Sequence, residues 1–399
     1  MRGKKIFTIL GGSSVWTPYL IRELAAYDIF RDMQIRLLGV TGAHLREVVD
    51  FSRGFPGGPL RIKAVVDVAE AIQGASVILN QVRIGGWASR LEDEMFPVKM
   101  GGVGDESLGV GGLTAALRTR PFIRHVSRTI LQKAGDAWLL NLTNPSDLVS
   151  RGWYEAGCHR VISLCDYPQS QARKMAVPAG KPETASQFGF MGMTHVGWFI
   201  PPVGFQPDSQ ELESWYREWG AVPTAWRIRM ADPEPFIREQ QLHPGVRARK
   251  LEKLVAHLRA AIGKKDREAY LELLEERKPL WYGEVVIPAL RGLLGEKPAR
   301  LIVGLPNKGR LPGMPDNVIV ENWAVINSGG AHPEPFPENP RCQKDITDFG
   351  MLRHLAFNLM LHPERRSLDS YVRSDPFARP IVSQGNLNRL LDEWPVKQE

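Results

Sequence analysis

Five consecutive β-forming residues, Ile6-Phe7-Thr8-Ile9-Leu10, run directly into Gly11-Gly12-Ser13-Ser14 and then Thr17-Pro18, a pair suited to the N-cap and first position of a helix. A strand that turns on glycines into a helix gathers backbone N–H groups and a helix N-terminus at one spot. In parallel α/β sheets the pyrophosphate of a dinucleotide rests there. The full Gly-x-Gly-x-x-Gly spacing is absent, and a Gly-Gly turn also serves purely conformational ends. The acidic residue that ordinarily follows the second strand and holds the adenosine ribose is missing as well, since Leu38-Gly39-Val40-Thr41 offers no carboxylate. Gly11, Gly12, Ser13 and Ser14 are therefore expected either to hold a dinucleotide with its ribose bound in another way, or to form a plain turn.

The remainder of the first half repeats the alternation. Ile35–Leu38, Ser76–Val82, Trp138–Asn141 and Val161–Leu164 are apolar runs of strand length. Between them Thr17–Phe30, Leu45–Arg53, Thr114–Lys133 and Pro145–Ala156 read as helices. Continuous apolarity implies strands buried on both faces of a parallel sheet, so the expected fold is α/β: a Rossmann-like doubly wound sheet. Near residue 195 the pattern changes. Helical spacing dominates Arg249–Ile262, Arg267–Glu276 and Asp345–Leu361, and Pro/Gly clusters punctuate Pro201–Gly204 and Leu305–Pro315. Two units follow, 1–195 for the nucleotide and 196–399 as a mostly helical α+β partner, giving a lactate/malate dehydrogenase-like whole with a ligand cleft between them.

Over 399 residues, 51 Lys+Arg against 44 Asp+Glu leave a net charge of +7, which raises the question of nucleic acid. The basic stretch Val246–Lys278 mixes both signs at helical spacing, as a solvated face does, and no nucleic-acid-binding motif accompanies it. No run approaches the ~18 apolar residues of a membrane helix, and the apolar start is too short for a signal peptide, so the expectation is a cytoplasmic protein. Cys158, Cys165 and Cys342 form no disulfide framework.

Several strand ends carry reactive side chains. Arg83 and Arg90, within Val82–Arg90, either clamp an anion or sugar hydroxyls or pair with Glu92, Asp93 or Glu94. Val103–Gly112, rich in glycine, reads as a flexible lid or a second phosphate-approach surface. Asn144 either caps the helix after it or turns its amide toward a ligand. Cys165-Asp166 leaves another strand, and His195 follows in a glycine-flanked loop, so thiolate plus imidazole makes half of a transition-metal site beside a possible acid.

Taken in order, these segments resemble the NAD- and metal-dependent family 4 glycoside hydrolases, an exception to two-carboxylate glycosidase chemistry. The resemblance covers nearly the whole chain. It is carried by Gly11-Gly12-Ser13-Ser14 with Thr17-Pro18, Arg83-x-Gly85-Gly86 with Arg90 and Asp93-Glu94, and Gly104–Gly112 with Ala116-Leu117-Arg118-Thr119. It continues through Asn144-Pro145, Cys165-Asp166-x-Pro168, Gly192-x-x-His195, Trp281-Tyr282 and Pro306-Asn307-x-Gly309. The departures are Ser13 for a third glycine, Gly104-Asp105-Glu106-Ser107 for Gly-Gln-Glu-Thr, Arg277-Lys278-Pro279 for Arg-Gly-Gly, no acid at Gly39, and Pro306 in place of a phosphate-binding arginine.

The resemblance implies a glycosidase that works by oxidation first. Bound NAD takes hydride from sugar carbon 3, a base removes the acidified proton at carbon 2, the aglycone is eliminated, water adds, and the hydride returns. It implies Cys165 and His195 as ligands of a divalent metal, manganese, Asp166 as leaving-group acid and Tyr282 as the carbon 2 base. Arg90 and Asn144 would bind the sugar, and Gly11–Ser14 the cofactor. It further implies a small-molecule glycoside as substrate, a homodimer or homotetramer, and no nucleic-acid or membrane partner. An Asp after the cysteine is similar to the 6-phospho-α-glucosidase pattern, and the basic surplus allows an anionic group at carbon 6. Two alternatives on the same fold are an NAD-dependent sugar or 2-hydroxyacid dehydrogenase and a catalytically silent NAD-binding protein.

Overall fold

The computed structural model describes residues 5–57, 59–176 and 182–394. Ile6–Leu10 forms strand β1, buried because both of its faces are covered. Phe7 and Ile9 point into one hydrophobic cluster with Ile35, Leu37, Val77 and Leu79, while Leu10 joins a second cluster with Leu38, Val65 and Ile78. Thr8, on the second face, meets the cost of burial by donating its hydroxyl to the Ala71 carbonyl at 2.6 Å.

Around β1 lie β2 (Gln34–Leu38), β3 (Arg61–Val65), β4 (Val77–Asn80), β5 (Trp138–Asn141) and β6 (Val161–Leu164), all parallel, in the order β3-β2-β1-β4-β5-β6. This is the doubly wound order, whose ligand crevice opens at the carboxyl ends where β1 meets β4. Strand β3 escapes the apolar-run criterion because it is the sheet edge: Arg61 and Lys63 face outward and only alternate residues are covered.

The sheet does not stop at β6. The later strands β7 (Gly189–Met193), β8 (Val196–Ile200), β9 (Val222–Pro223), β10 (Ala299–Pro306) and β11 (Ile319–Asn327) continue it antiparallel as β6-β10-β11-β7-β8-β9, with β12 (Gly330–Pro333) on β11. One twelve-stranded sheet results among the described residues. Short apolar runs such as Leu301–Leu305 fit a buried strand or a buried helix equally by periodicity, which is why the sequence reading passes over β10 and β11. One rung crosses most of the sheet: Leu10 opposite Asn80, Asn80 opposite Asn141, then Ser163, Gly304, Glu321, Gly192 and Gly197.

Helices cover both faces. Val246–Lys264 buries Leu251, Leu254, Val255, Leu258 and Ile262, the stripe read from their spacing. The first helix is shorter than expected, Thr17–Leu24, because Tyr27 is extended and lies under the Arg291 guanidinium at 4.2 Å before a 3-10 turn at Asp28–Phe30. Thr17 is its first residue rather than its cap. The helix after β5 is Ser146–Glu155 with Pro145 at the cap, so Asn144 does not cap it. Among the described residues no helix is long and apolar enough to cross a membrane.

Candidate active site

At the end of β1 both glycines are required, for different reasons. Gly11 has φ +82°, a conformation that side chains strain, and a Cβ on Gly12 would lie 2.7 Å from Leu37 Cα on the neighbouring strand. Ser14 N–H donates to the Gly11 carbonyl and closes the turn at 3.1 Å. Gln81, just past β4, braces it: Nε2 donates to the Gly11 carbonyl at 3.2 Å and to Thr17 Oγ1 at 3.0 Å. Tyr282 donates its hydroxyl to Gln81 Oε1 at 2.6 Å. It opens a π-helical turn, Tyr282–Val286, a form often found at functional sites. Burial pushes its phenol above the ordinary tyrosine range.

Cys165 follows β6 and is buried. Burial, with Glu321 and Asp166 adding to it, raises the thiol well above its usual range. His195 sits with Thr194 at the β7–β8 turn, both in the left-handed region at φ 72° and 44°. Two adjacent non-glycine residues there are costly and persist because the surroundings hold them. Thr224 Oγ1 donates to the His195 carbonyl at 2.7 Å, and the buried Glu321 accepts from the Thr194 N–H. The imidazole packs against the Tyr167 ring at 4.9 Å, and its Nδ1 is buried with no hydrogen-bond partner. Burial first, then Arg247, lower the imidazole to about 4, so it is neutral at pH 7.

Asp166 stands by both groups, acting electrostatically on Cys165 and on His195. No cluster of three or more His, Cys, Asp or Glu suited to a metal occurs among the described residues. A soft sulfur donor and a neutral nitrogen without a partner nonetheless fit a borderline divalent cation whose other positions stay open for substrate.

On the other side of the crevice Arg90 is buried. Its Nε donates to Glu94 at 2.9 Å, its Nη1 pairs with Glu106 at 3.0 Å, and its Nη2 is buried without a partner. Arg83 also pairs with Glu106, and Asn144 Nδ2 reaches the same carboxylate at 3.5 Å. Burial alone would raise Glu106, but Arg83 and Arg90 outweigh it and hold the carboxyl far below its usual range. The glycine-rich stretch that carries Glu106 is no lid. All of residues 101–112 are buried, and a Cβ on Gly104 or Gly111 would lie 2.0 Å from the Glu94 carbonyl oxygen or 2.2 Å from that of Asp93. Arg277 completes the patch; burial and then Arg90 and Arg247 lower its guanidinium to about 10.

Sequence reasoning does not single out Glu106, Gln81 or Glu321. A carboxylate within the apolar run Ile319-Val320-Glu321-Asn322-Trp323 is a signal that could have found the last. Cys158 and Cys342 lie in hydrophobic clusters.

The family model "Family 4 glycosyl hydrolase" matches residues 5–179, and that of the "Family 4 glycosyl hydrolase C-terminal domain" matches 204–354. The chain belongs to glycosyl hydrolase family 4. Among family relatives, a probable 6-phospho-beta-glucosidase of Bacillus subtilis is 26% identical over 372 residues, 83% of this chain and 82% of its own. An alpha-galacturonidase of Thermoanaerobacter italicus is 23% identical over 96% of this chain and 94% of its own. In fold the chain resembles the 6-phospho-beta glucosidase of Thermotoga maritima, solved with manganese, NAD+ and glucose-6-phosphate: TM-score 0.80 at 21% identity, over 96% of this chain and 98% of that one. The family 4 assignment and the doubly wound sheet both agree with the expectation from the sequence.

Proposed function

We propose that this family 4 enzyme hydrolyses a small glycoside bearing an anionic group, by a transient oxidation at sugar carbon 3 followed by elimination of the aglycone across carbons 2 and 1. When bound, a nicotinamide dinucleotide would take and return the carbon 3 hydride, and a divalent metal, manganese in the Thermotoga relative, would polarise the oxygens on carbons 2 and 3. Cys165 and His195 would hold the metal. The observation that carries the reading is the His195 imidazole, neutral and with Nδ1 buried and partnerless, which shares its neighbour Asp166 with the buried Cys165 thiol at the end of β6.

Position supports the remaining roles. Gly11, Gly12, Ser13 and Ser14 receive the pyrophosphate. Tyr282, tied to that turn through Gln81, takes the carbon 2 proton, and Asp166, next to Cys165, protonates the departing oxygen. Arg90 keeps Nη2 for a sugar oxygen, with Asn144 beside it on Glu106. Arg277, lowered by burial and by Arg90 and Arg247, stands among Arg83, Arg90 and Arg247, a gathering of guanidinium groups that suits a phosphate or carboxylate on carbon 6. Relatives named for a 6-phospho sugar and a galacturonide support that class.

The test is hydrolysis of aryl 6-phosphoglycosides and aryl uronides in deuterated water with dinucleotide and manganese. The expected product carries deuterium at carbon 2 and the dinucleotide is needed in catalytic amounts. Turnover without dinucleotide, or product without deuterium, overturns the mechanism, and stoichiometric accumulation of reduced dinucleotide assigns a dehydrogenase instead.

A further inference from the structure

In a dinucleotide fold the carboxyl end of the second strand faces the adenosine ribose. A carboxylate there binds the 2′-hydroxyl, whereas an arginine nearby accommodates a 2′-phosphate. In this chain β2 leads into Gly39-Val40-Thr41-Gly42-Ala43-His44-Leu45-Arg46. The stretch lies against the pyrophosphate turn: a Cβ on Gly39 would sit 3.0 Å from Ser13 Oγ, and His44 Nε2 is 3.1 Å from the Ser13 carbonyl oxygen.

The carboxylate nearest in sequence, Glu47, is turned to His44 Nδ1 at 3.3 Å. Thr41 precedes the helix Gly42–Arg53 with its hydroxyl uncommitted to capping. Arg46 is exposed and folds back toward that start, so that a Cβ on Gly42 would meet its Nη1 at 3.2 Å. Among the described residues no carboxylate pairs with Arg46. Two valines flank the spot at the ends of β2 and β3, Val40 96% and Val66 56% exposed, and Val66 Cγ1 lies 3.7 Å from the same Gly42 position. Large apolar side chains left in water at a strand end suit the faces of an adenine ring.

We propose that the adenosine end of the cofactor site takes a 2′-phosphate, so that the chain prefers NADP to NAD, with Arg46 as the residue that sets the preference and Thr41 as its partner. This rests on the dinucleotide reading above and departs from the NAD+ seen in the Thermotoga structure. A guanidinium facing a phosphate gives a charge-assisted contact that a 2′-hydroxyl cannot return.

The experiment is calorimetric titration of the full chain with NADP+ and with NAD+, without substrate. NADP+ is expected to bind at least about tenfold tighter, with an advantage that shrinks as salt is added. Arg46→Ala removes the difference and leaves NAD+ affinity unchanged, and Val40→Asp, at a fully exposed position, reverses the preference. Both changes are at the surface, and circular dichroism confirms the fold. NAD+ binding as tightly as NADP+, or equal losses for both in Arg46→Ala, overturns the proposal while leaving the glycosidase reading intact. Binding of neither dinucleotide overturns both.

Discussion

The Tyr282 hydroxyl and the Gly11 carbonyl are bound to opposite ends of one amide, that of Gln81, at 2.6 and 3.2 Å. The proposed carbon 2 base and the cofactor turn, far apart in sequence, thus share a single side chain. The phenol is buried and its proton is held more tightly than usual, so it gives that proton up only when positive charge arrives beside it.

Tyr282→Phe keeps the ring and removes the hydroxyl. The expected cost in stability is about 1 kcal/mol, with steady-state turnover falling at least roughly 100-fold. Single-turnover reduction of the dinucleotide survives while deuterium exchange at carbon 2 stops. Gln81→Leu differs by weakening dinucleotide binding as well, which titration detects.

Treatment with a chelator is expected to abolish hydrolysis, and added manganese to restore it. Cys165→Ser lowers manganese affinity roughly 10- to 100-fold without unfolding the chain, because a hydroxyl of similar size replaces the thiol. Unchanged manganese affinity by calorimetry would remove Cys165 from the ligand set.

Glu106 governs stability as well as the site. Its folded carboxyl is depressed relative to the unfolded value of about 4.3, so its stabilisation is fully present above that pH and is lost as the solution is acidified below it. Glu106→Gln leaves Arg83 and Arg90 without their shared counter-charge and is expected to cost about 3 kcal/mol at pH 7. Urea melts at pH 7, 5 and 3 check this: the gap from the natural chain should be full at pH 7 and 5 and narrow without closing at pH 3.

Arg277→Met tests the anionic substrate. The KM for a 6-phosphoglycoside is expected to rise roughly tenfold or more with kcat little changed, and the KM for the uncharged glycoside to stay put. Equal effects on both substrates would place Arg277 in the fold and not in recognition.

What could be read from the chain was local. Gly11–Ser14 and Cys165-Asp166 stand where an apolar run breaks, and such breaks are visible in any window of the sequence. The Gly104–Gly112 stretch misleads for a physical reason: Gly104 and Gly111 allow close backbone packing against Glu94 and Asp93, and composition alone cannot separate that from mobility. Glu106, Glu321 and the buried Asp147–Arg353 pair at 2.7 Å draw their meaning from residues brought near only by the tertiary fold. The antiparallel extension of the sheet hides for the same reason, since β6 meets β10 across more than a hundred residues.

The rung that links Ser163, Gly304, Glu321 and Gly192 has a mechanical consequence. Cys165 lies two residues beyond one end of it and His195 three beyond the other, so the groups that would grip the metal are spaced by hydrogen-bonded strands with no hinge between them. That leaves the arginine side for traffic, where Arg83 and Arg277 stand in loops and Arg247 in the first turn of the helix Val246–Lys264, so the rate of product release is expected to track the mobility of these side chains and not that of the sheet.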